Sequence, residues 1–337
     1  MAINYNLLKE LISIDSPTGY TANAEKYILK YLKSKGLKTS TTNKGVVKCS
    51  FSSKPKLALA AHLDTLGAIV SNINSNGTLR ISMLGGYPLT SFEGSYLKVI
   101  SLKGKEFNGT LLLDDPSAHA NKSIDRTDRN LKNVHVRLDE VVSSAADVKK
   151  LGIQNGDIVC FDTNYQHLKS GYIKSRFMDN KAGCLVLMEL AAQLSKSKKE
   201  VPVELFFSNY EEVSHGGTCG YSDSIEELLV IDMGVVGDAV SGDELSCSIC
   251  AKDSHGPYDY EMRKKLTEIA QRKKIPHKVD VYPHYGSDGS AALKAGNDFR
   301  VALIGPGVAA SHGVERTHEK GIKATVELCL AYIREEL

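Results

Sequence analysis

Residues 201–212 read VPVELFFSNYEE, an apolar run that ends in two adjacent carboxylates, Glu211 and Glu212. A short apolar run of this kind is typical of a strand that is buried on both faces of a sheet. Neighbouring residues at a strand end point in different directions, so one carboxylate could bind a metal ion while the other faces a water molecule as general base. The structural alternative is a pair of solvated acids at a helix N-terminus, where negative charge is favoured.

Three further apolar runs also end near a His or Asp residue. They are 56–61 before His62 and Asp64, 228–233 with Asp232, and 300–304 followed by His312. Apolar residues at helical spacing occupy 5–34 (two helices joined by a turn), 182–194, 260–272, 290–294 and 322–336. Because strands and helices alternate, the sequence predicts an α/β core with a largely parallel sheet.

These ligand-type side chains are expected to meet, because ligands of open α/β sheets collect at the carboxyl ends of the strands. Asp179, in the segment SRFMDNKAG ahead of the helix at 182–194, is expected to join them, although an Asp there is equally suited to cap that helix. A pair of divalent ions needs a bridging carboxylate and several His, Asp or Glu ligands. The five strand-end placements together therefore predict a metal site.

Asp64 is predicted to act on His62 rather than on a metal. The two residues are two positions apart, so both point to the same side if the strand continues through them. A His ligand usually gives its second ring nitrogen to a carboxylate or carbonyl group, which fixes the tautomer. An ordinary hydrogen-bonded pair is the structural alternative.

Residues 69–164 differ in composition from the rest of the chain. Short β-favouring pieces alternate there with Gly, Asn, Asp and Lys, which predicts a small all-β module inserted into the α/β domain. The α/β domain would then be discontinuous, comprising 1–68 and 165–337. The polar, highly charged segment 121–133 is interpreted as a solvated loop.

The composition excludes several classes of partner. In 337 residues, 42 basic and 40 acidic side chains give a formal charge of +2, which indicates neither a nucleic-acid nor an anionic-membrane partner. No apolar run is long enough to span a bilayer, and the first residues, MAINYNLLKELISIDS, do not match a signal peptide, so a cytoplasmic location is expected. The seven cysteines are an odd number scattered mostly through apolar stretches, which predicts reduced, buried thiols.

Other catalytic motifs are missing or weak. The sequence has no P-loop, no GxGxxG after a strand and no GxSxG, which argues against nucleotide, dinucleotide and serine-hydrolase chemistry. His119 lies in the inserted module and is either a contributor to the site or a surface residue. His255, His284 and 287–289 fall in glycine-containing loops, where they could line a substrate pocket or serve only as turn residues.

Taken together, the motifs resemble those of the metallopeptidase family 42 aminopeptidases, the group of tetrahedral and glutamyl aminopeptidases. The segments that carry the resemblance are LLKELISIDSPTGY, AAHLDTLG, GGYPLTSFEG, LGIQNGDIVCF, SRFMDNKAG, NYEEVSHGG, VIDMGVVGD, YGSDGSAA and VERTHEKGIKATVELCLAYI. The resemblance spans nearly the whole chain. It implies an α/β fold, namely a three-layer phosphorylase/hydrolase-like zinc-exopeptidase domain, with an inserted small β-barrel-like domain that serves as a dimerisation or lid domain.

The resemblance also implies the roles of the site residues and the cofactors. Two divalent ions per subunit, zinc or else cobalt or manganese, would be bound by five metal ligands and served by two catalytic residues. One ion would be held by His62 and Asp232 and the other by Glu212 and His312, with Asp179 bridging them, while Glu211 acts as general base and Asp64 orients His62. The substrates would be short peptides cleaved at the N-terminus, and the protein would be a homo-oligomer, from a dimer up to a tetrahedral dodecamer.

The sequence departs from the family pattern near the ligands. Asn180 and Lys181 stand where the family has Asp-Arg, His215 lies within a segment that is usually Gly-x-Arg-Gly, and Thr65 replaces an acidic residue. His318 offers a second candidate for the last ligand beside His312. A gap-free comparison with the last strand of the family favours His312.

Three functions other than that of an aminopeptidase are compatible with parts of this pattern. A deacylase or carboxypeptidase of the related zinc group shares the His-x-Asp and Glu-Glu motifs. In that group the extra domain typically follows the Glu-Glu motif in sequence, whereas the insertion predicted here precedes Asp179, which favours the aminopeptidase. A polysaccharide hydrolase is disfavoured because the chain has no Trp to stack on sugar rings. An inactive, metal-stabilised scaffold is disfavoured by Glu211, since a scaffold has no use for a general base.

Overall fold

The structure is a computed structural model that describes residues 2–336. The chain folds into two units, one comprising the residues up to Thr65 together with those from Asn164 onward, and the other comprising Leu66–Thr163. Within the described range, no helix has both the length and the apolar composition needed to cross a bilayer. All seven cysteines are free, and only Cys219 is exposed.

Helices and strands alternate through the first unit, while the second contains mostly strands. The helices are α1 (Tyr5–Ile12), α2 (Ala22–Ser34), α3 (Ala145–Leu151), α4 (Met178–Leu194), α5 (Tyr260–Arg272), α6 (Asp288–Lys294) and α7 (Glu319–Glu336). The strands are β1 (Ser40–Thr41), β2 (Val47–Ser50), β3 (Leu57–His62), β4 (Gly67–Ile73), β5 (Leu79–Leu84), β6 (Tyr96–Ile100), β7 (Glu106–Leu113), β8 (Val134–Leu138), β9 (Ile158–Phe161), β10 (Gln166–His167), β11 (Tyr172–Ser175), β12 (Val203–Ser208), β13 (Glu227–Ile231), β14 (Gly234–Val236), β15 (Cys247–Asp253), β16 (Gly256–Pro257), β17 (His277–Val281), β18 (Arg300–Ala309) and β19 (Glu315–His318).

The first unit is built around a 13-stranded sheet whose main path runs β1-β2-β12-β3-β13-β18-β19-β11-β10. The four strands β12, β3, β13 and β18 are parallel, whereas β2, β15 and β19 join this group antiparallel. The α/β class is confirmed, but the prediction of a largely parallel sheet holds only for the central strands and for the pairs β14–β18 and β15–β17. The outer strands β10 and β11 form a hairpin, and β19 follows β18 after a short turn, so neither connection can produce a parallel pair.

Two apolar clusters cover the two faces of this sheet. The larger cluster combines the apolar faces of α1, α2, α4, α5 and α7 with one set of strand residues, and the smaller one includes Ala292 of α6 and Phe206 of β12. Helix α5 shows how local sequence sets an element: Asp259 accepts a hydrogen bond from Met262 N at 2.9 Å, while Leu266 and Ile269 face the core.

The second unit is a closed barrel of six strands in the order β4-β5-β8-β7-β6-β9. This confirms the expected barrel-like module, which lies in the unit Leu66–Thr163. Tyr87, Phe92 and Phe161 form a buried aromatic cluster in this unit, with ring centroids 4.2 to 5.9 Å apart. The segment 121–133 is irregular as expected, apart from the short 3-10 helix Ile124–Arg126.

Candidate metal centre

The candidate ligands of the first unit lie at the carboxyl ends of the central parallel strands. His62 is the last residue of β3 and is in register with Ser208, the last residue of β12. Asp232 directly follows Ile231, which is the last residue of β13 and pairs with Ile304 of β18. The shared direction of these strands therefore brings residues that are far apart in sequence to one edge of the sheet.

Asp179 lies between the two histidines. Its Oδ1 is 3.1 Å from His62 Nε2, and its Oδ2 is 3.3 Å from His312 Nε2. The carboxylate is not used as a helix cap, because Phe177 is the N-cap residue of α4 and Asp179 itself has non-helical backbone angles. Each oxygen of this one carboxylate thus faces a different histidine.

Two groups of potential ligand atoms share Asp179. The first contains His62, Asp179 and Asp232, and the second contains Asp179, Glu212 and His312; within each group the atoms lie within 4.8 Å of one another. His62 Nε2 is 3.9 Å from Asp232 Oδ1, and His312 Nε2 is 3.7 Å from Glu212 Oε2. The structure therefore brings together all five residues predicted as metal ligands.

Glu211 and Asp64 lie beside these groups. Glu211 begins a short 3-10 helix, Glu211–Val213, and its Oε2 is 3.7 Å from His62 Nε2. Asp64 is fully buried: its Oδ1 is 3.6 Å from His62 Nδ1, and its two oxygens accept the backbone N–H groups of Glu211 at 3.2 Å and Glu212 at 3.3 Å. Asp64 therefore holds both the ring of His62 and the turn that carries the two glutamates.

The backbone oxygen of Asp64 also contributes to the orientation of His62. It lies 3.0 Å from His62 Nδ1, so Nδ1 can donate to it and leave Nε2 free to face Asp179. Thr18 Oγ1 donates to Asp64 Oδ2 at 2.7 Å, a contact that the sequence did not reveal because Thr18 lies in a distant turn.

Glu315, a buried residue of β19, also belongs to the site, although the sequence pattern did not indicate it. Its Oε2 accepts a hydrogen bond from Asp179 N at 3.1 Å, and its Oε1 accepts one from His312 N at 3.0 Å. Glu315 thus connects the backbones of two candidate ligands. Nothing in the local pattern distinguished it from the other polar residues of the segment.

His318, the alternative to His312, is directed elsewhere. Its Nε2 faces the carbonyl oxygen of Ser170 at 3.1 Å, and its Nδ1 accepts a hydrogen bond from Lys320 N at 3.0 Å. Both ring nitrogens are therefore occupied at the start of α7. Only His312 of the two lies beside Asp179.

Burial and mutual repulsion dominate the electrostatics of this cluster. Burial, with the nearby charge of Asp179, raises the pKa of Asp232 to about 7 and that of Glu315 to about 8. Burial also raises the pKa values of Glu211 and Glu212 well above the usual range, with Asp232 acting on Glu211 and Asp179 on Glu212. The carboxylates of the cluster thus carry more negative charge than its histidines can neutralise.

The two groups nearest the histidines behave differently. Burial lowers the pKa of His62, but hydrogen bonds to Asp179 and Asp64 outweigh this and hold the pKa well above its ordinary value. Burial would raise the pKa of Asp179, but hydrogen bonds to His312 and His62 outweigh it and hold the pKa below its usual range. The two histidines therefore supply the positive charge that stabilises the ionised form of Asp179.

The residues present fit two divalent metal ions. Imidazole nitrogens and carboxylate oxygens are ligands that zinc and related ions accept. Glu212 Oε1 is buried and has no hydrogen-bond partner among the described residues, which is costly unless a cation occupies its lone pairs. Burial and the nearby charge of Asp179 raise the pKa values of Asp232 and Glu212, and a bound cation would offset both effects.

The departures from the family pattern have structural roles of their own. Lys181 is buried, and its Nζ donates to Ser16 Oγ at 2.5 Å and to Leu63 O at 2.8 Å. Asn180 Nδ2 donates to Ile231 O at 2.8 Å, which ties the start of α4 to the end of β13. His215 is exposed and stacks on Tyr210, with ring centroids 5.0 Å apart.

The residues that the sequence suggested as possible pocket or site residues lie in different parts of the structure. His284 lines the cavity that contains Glu211 and His312, whereas His255 and Ser287 line a smaller neighbouring cavity. Asp288 is buried and accepts a hydrogen bond from Ser208, and burial raises its pKa to about 6. His119 is exposed in the second unit, and its participation in the site remains a prediction.

The chain is similar to known aminopeptidases. The chain matches the family model described as M42 glutamyl aminopeptidase over residues 43–328. It is 41% identical over 334 residues to the protein named "Putative aminopeptidase YhfE" of Bacillus subtilis (strain 168), a match that covers 97% of this chain and 96% of the relative.

Solved structures share the fold at lower identity. An aminopeptidase from the archaeon Desulfurococcus kamchatkensis superimposes with a TM-score of 0.86 at 24% identity, over 98% of this chain and 94% of that one. The TET1 peptidase of Pyrococcus horikoshii gives a TM-score of 0.85 at 20% identity, over 97% and 98%. Because the family model spans most of the chain and the bacterial relative matches it nearly end to end, the chain belongs to the M42 family and is an aminopeptidase, a hydrolase of peptide bonds.

Proposed function

We propose that this aminopeptidase depends on two divalent ions and uses Glu211 as its general base. One ion would be held by His62 and Asp232 and the other by Glu212 and His312, with Asp179 shared between them. The observation that carries the proposal is the position of Asp179, whose two oxygens face two different histidines at 3.1 and 3.3 Å.

The chemistry that such ions supply, when bound, is polarisation of the scissile carbonyl and acidification of water at the site. Glu211 lines the same cavity as both ligand groups, so it can take a proton from a water molecule there and return it to the leaving amine. Burial, together with the nearby charge of Asp232, raises the pKa of Glu211, and perturbed pKa values of this kind are common among catalytic carboxylates. Asp64 keeps Glu211 in place through the hydrogen bond to its backbone N–H.

The proposed metal is zinc, with cobalt or manganese as substitutes, because the ligands are imidazole and carboxylate groups. The proposed substrates are short peptides with a free N-terminus. A cytoplasmic location is proposed with them, since free thiols are what a reducing compartment maintains.

Assembly is proposed from the relatives. The Pyrococcus horikoshii TET1 peptidase is described as assembling into a tetrahedron or a large octahedral shell. We extend this to a homo-oligomer of the present chain, from a dimer up to a tetrahedral dodecamer, with Leu66–Thr163 as a dimerisation or lid domain. Light scattering of the purified protein under native conditions tests this, and a monomer at all concentrations would contradict it.

The central test is Glu211→Gln with a chromogenic aminoacyl substrate. The amide keeps the shape of the side chain but cannot accept a proton, so kcat should fall by about 100- to 10,000-fold. Metal content, measured by mass spectrometry after dialysis, should stay at the wild-type value. Glu226→Gln, which removes an exposed carboxylate that pairs with Lys56, is the matched control and should leave both values unchanged.

Two results would contradict the proposal. One is wild-type turnover by Glu211→Gln, which would remove this residue from the base role. The other is hydrolysis of N-acetylated substrates but not of free-amine substrates by the wild-type protein. A chelator should abolish the wild-type activity, and added zinc, cobalt or manganese should restore it.

A further inference from the structure

The cavity at the candidate metal centre is lined by apolar and by polar residues. Its volume is about 410 Å³, which is in the range of small-molecule sites. Beyond the candidate metal ligands and Glu211, the apolar side chains of the lining, here called its apolar side, are Met233, Val235 and Tyr285, and the polar ones are Ser214, His284 and Ser311. The residue to be removed must enter this cavity, because its carbonyl group has to come within reach of Glu211.

The apolar side is fixed in position relative to the candidate ligands. Met233 follows Asp232 directly, and its N–H donates to Asp232 Oδ1 at 2.7 Å. The hydroxyl group of Tyr285 donates to Met233 O at 3.0 Å, which holds the aromatic ring against this strand end. Val235 lies in β14, where it pairs with Val308 of β18.

Charge is confined to the candidate centre itself. Among residues 2–336, the cavity lining outside that centre contains no Lys, Arg, Asp or Glu side chain. A substrate side chain that extends into this part of the cavity would therefore leave water without meeting a Lys, Arg, Asp or Glu side chain, and only the imidazole of His284 could pair with an acidic one. An apolar side chain gains from contact with Val235 and Tyr285, since both surfaces leave water.

We infer that this enzyme prefers peptides whose first residue has an uncharged, apolar side chain of the size of leucine or methionine. The inference rests on the proposed function, because it assigns this cavity to the residue that is cleaved off. It departs from the description of the family model, which names glutamate, since the described lining offers a glutamate side chain no Lys or Arg, and His284 is the one imidazole outside the candidate metal ligands.

The first experiment compares kcat/KM for the p-nitroanilides of leucine, methionine, glutamate and lysine, with the enzyme saturated with zinc or cobalt. The leucine and methionine substrates should exceed the glutamate and lysine substrates by at least about tenfold. Equal rates, or a preference for glutamate or lysine, would overturn the inference but leave the proposed function intact. No hydrolysis of any free-amine substrate would overturn the proposed function and the inference with it.

The second experiment changes the apolar side of the cavity. Val235→Lys should raise the ratio of glutamate to leucine hydrolysis by at least about tenfold, because it supplies the missing cation. Val236→Lys is the matched control, since adjacent residues of a strand face opposite sides and Val236 does not line the cavity; its ratio should stay at the wild-type value.

A milder variant guards against misfolding, because Val235 also packs against the core. Val235→Thr keeps the shape of the side chain and replaces one methyl group with a hydroxyl group, so the protein should retain its circular dichroism spectrum. Its kcat/KM should fall for the leucine substrate and change little for the alanine substrate, whose side chain is too short to reach the wall. An equal effect on both substrates, or an unchanged glutamate-to-leucine ratio in folded Val235→Lys, would contradict the assignment of Val235.

Discussion

Glu315 connects two parts of the chain that both supply candidate ligands. Its carboxylate accepts one backbone hydrogen bond from Asp179 and one from His312, so both oxygens are used. His312 has a positive φ of 58°, a conformation that non-glycine residues rarely adopt. The hydrogen bond that the N–H of His312 donates to Glu315 helps to hold this backbone, and with it the position of the imidazole ring.

Glu315→Gln should therefore weaken metal binding without removing any candidate ligand. A glutamine side chain has one acceptor oxygen, so either the N–H of Asp179 or that of His312 would face an NH₂ group. Partners that orient metal ligands typically contribute about 10- to 100-fold in metal affinity. Competition with a chromophoric chelator measures this loss.

Glu327→Gln is the matched control for this prediction. Glu327 pairs with Lys323 on the surface of α7 at 3.7 Å, and such exposed pairs contribute little. Its metal affinity should equal that of the wild-type protein. Wild-type affinity in Glu315→Gln would show that the two hydrogen bonds do not position the site.

At the scale of elements, the start of α4 determines where Asp179 lies. The helix is buried along nearly its whole length, and its first residues depart from helical geometry at Asp179 and Asn180. Gly183, one turn later, lies so close to β13 that a Cβ atom there would be 2.5 Å from Ile231 O and 2.2 Å from Asn180 Oδ1. The absence of a side chain at Gly183 thus lets the helix approach the strand that leads to Asp232.

Gly183→Ala should lower the stability of the first unit and its activity together. The added methyl group would push the start of α4 away from β13, and such overpacking typically costs about 1 to 3 kcal/mol. Chemical denaturation measures the change in the free energy of unfolding, and kcat/KM measures the displacement of Asp179.

Gly237→Ala provides the comparison, because a Cβ atom at Gly237 would meet no atom within 4 Å. It should change neither stability nor activity by a measurable amount. If Gly183→Ala were as stable and as active as Gly237→Ala, the close approach of α4 to β13 would have no role in forming the site.

At the scale of the whole molecule, the two units have independent hydrophobic interiors. The second unit is a closed barrel, so its strands β4 and β9 pair with each other and the barrel path leaves no edge strand unpaired. Its aromatic cluster lies entirely within Leu66–Thr163. A unit with its own core and complete strand pairing has what it needs to fold alone.

A fragment of residues 66–163 should accordingly fold by itself. We expect a β-type circular dichroism spectrum and a single cooperative thermal transition. Phe92→Asp in the same fragment should abolish the transition, because Phe92 is fully buried between Tyr87 and Phe161 and an unpaired carboxylate there is unfavourable. A non-cooperative melt of the unsubstituted fragment would contradict the prediction.

The sequence alone determined the α/β class, the β-rich insertion and the residue types at the strand ends. These features follow from local information: period-2 and period-3.6 patterns, runs of apolar residues and turn residues. The helix predicted at 260–272 has the observed bounds Tyr260–Arg272, since its amphipathic face and its capping residue Asp259 are both local signals. The meeting of His62, Asp232 and the two glutamates followed from the common direction of parallel strands.

Only the tertiary structure decided what depends on contacts between distant segments. The sequence leaves His318 as a second candidate beside His312, which the family resemblance favours, and the structure separates the two because Ser170 and the start of α7 engage the ring nitrogens of His318. Glu315 accepts a hydrogen bond from Asp179, 136 positions away, and Thr18 donates one to Asp64, 46 positions away. The spacing of apolar residues in a sequence indicates which face of a helix or strand is buried. It does not indicate which residue from a distant part of the chain a side chain will contact.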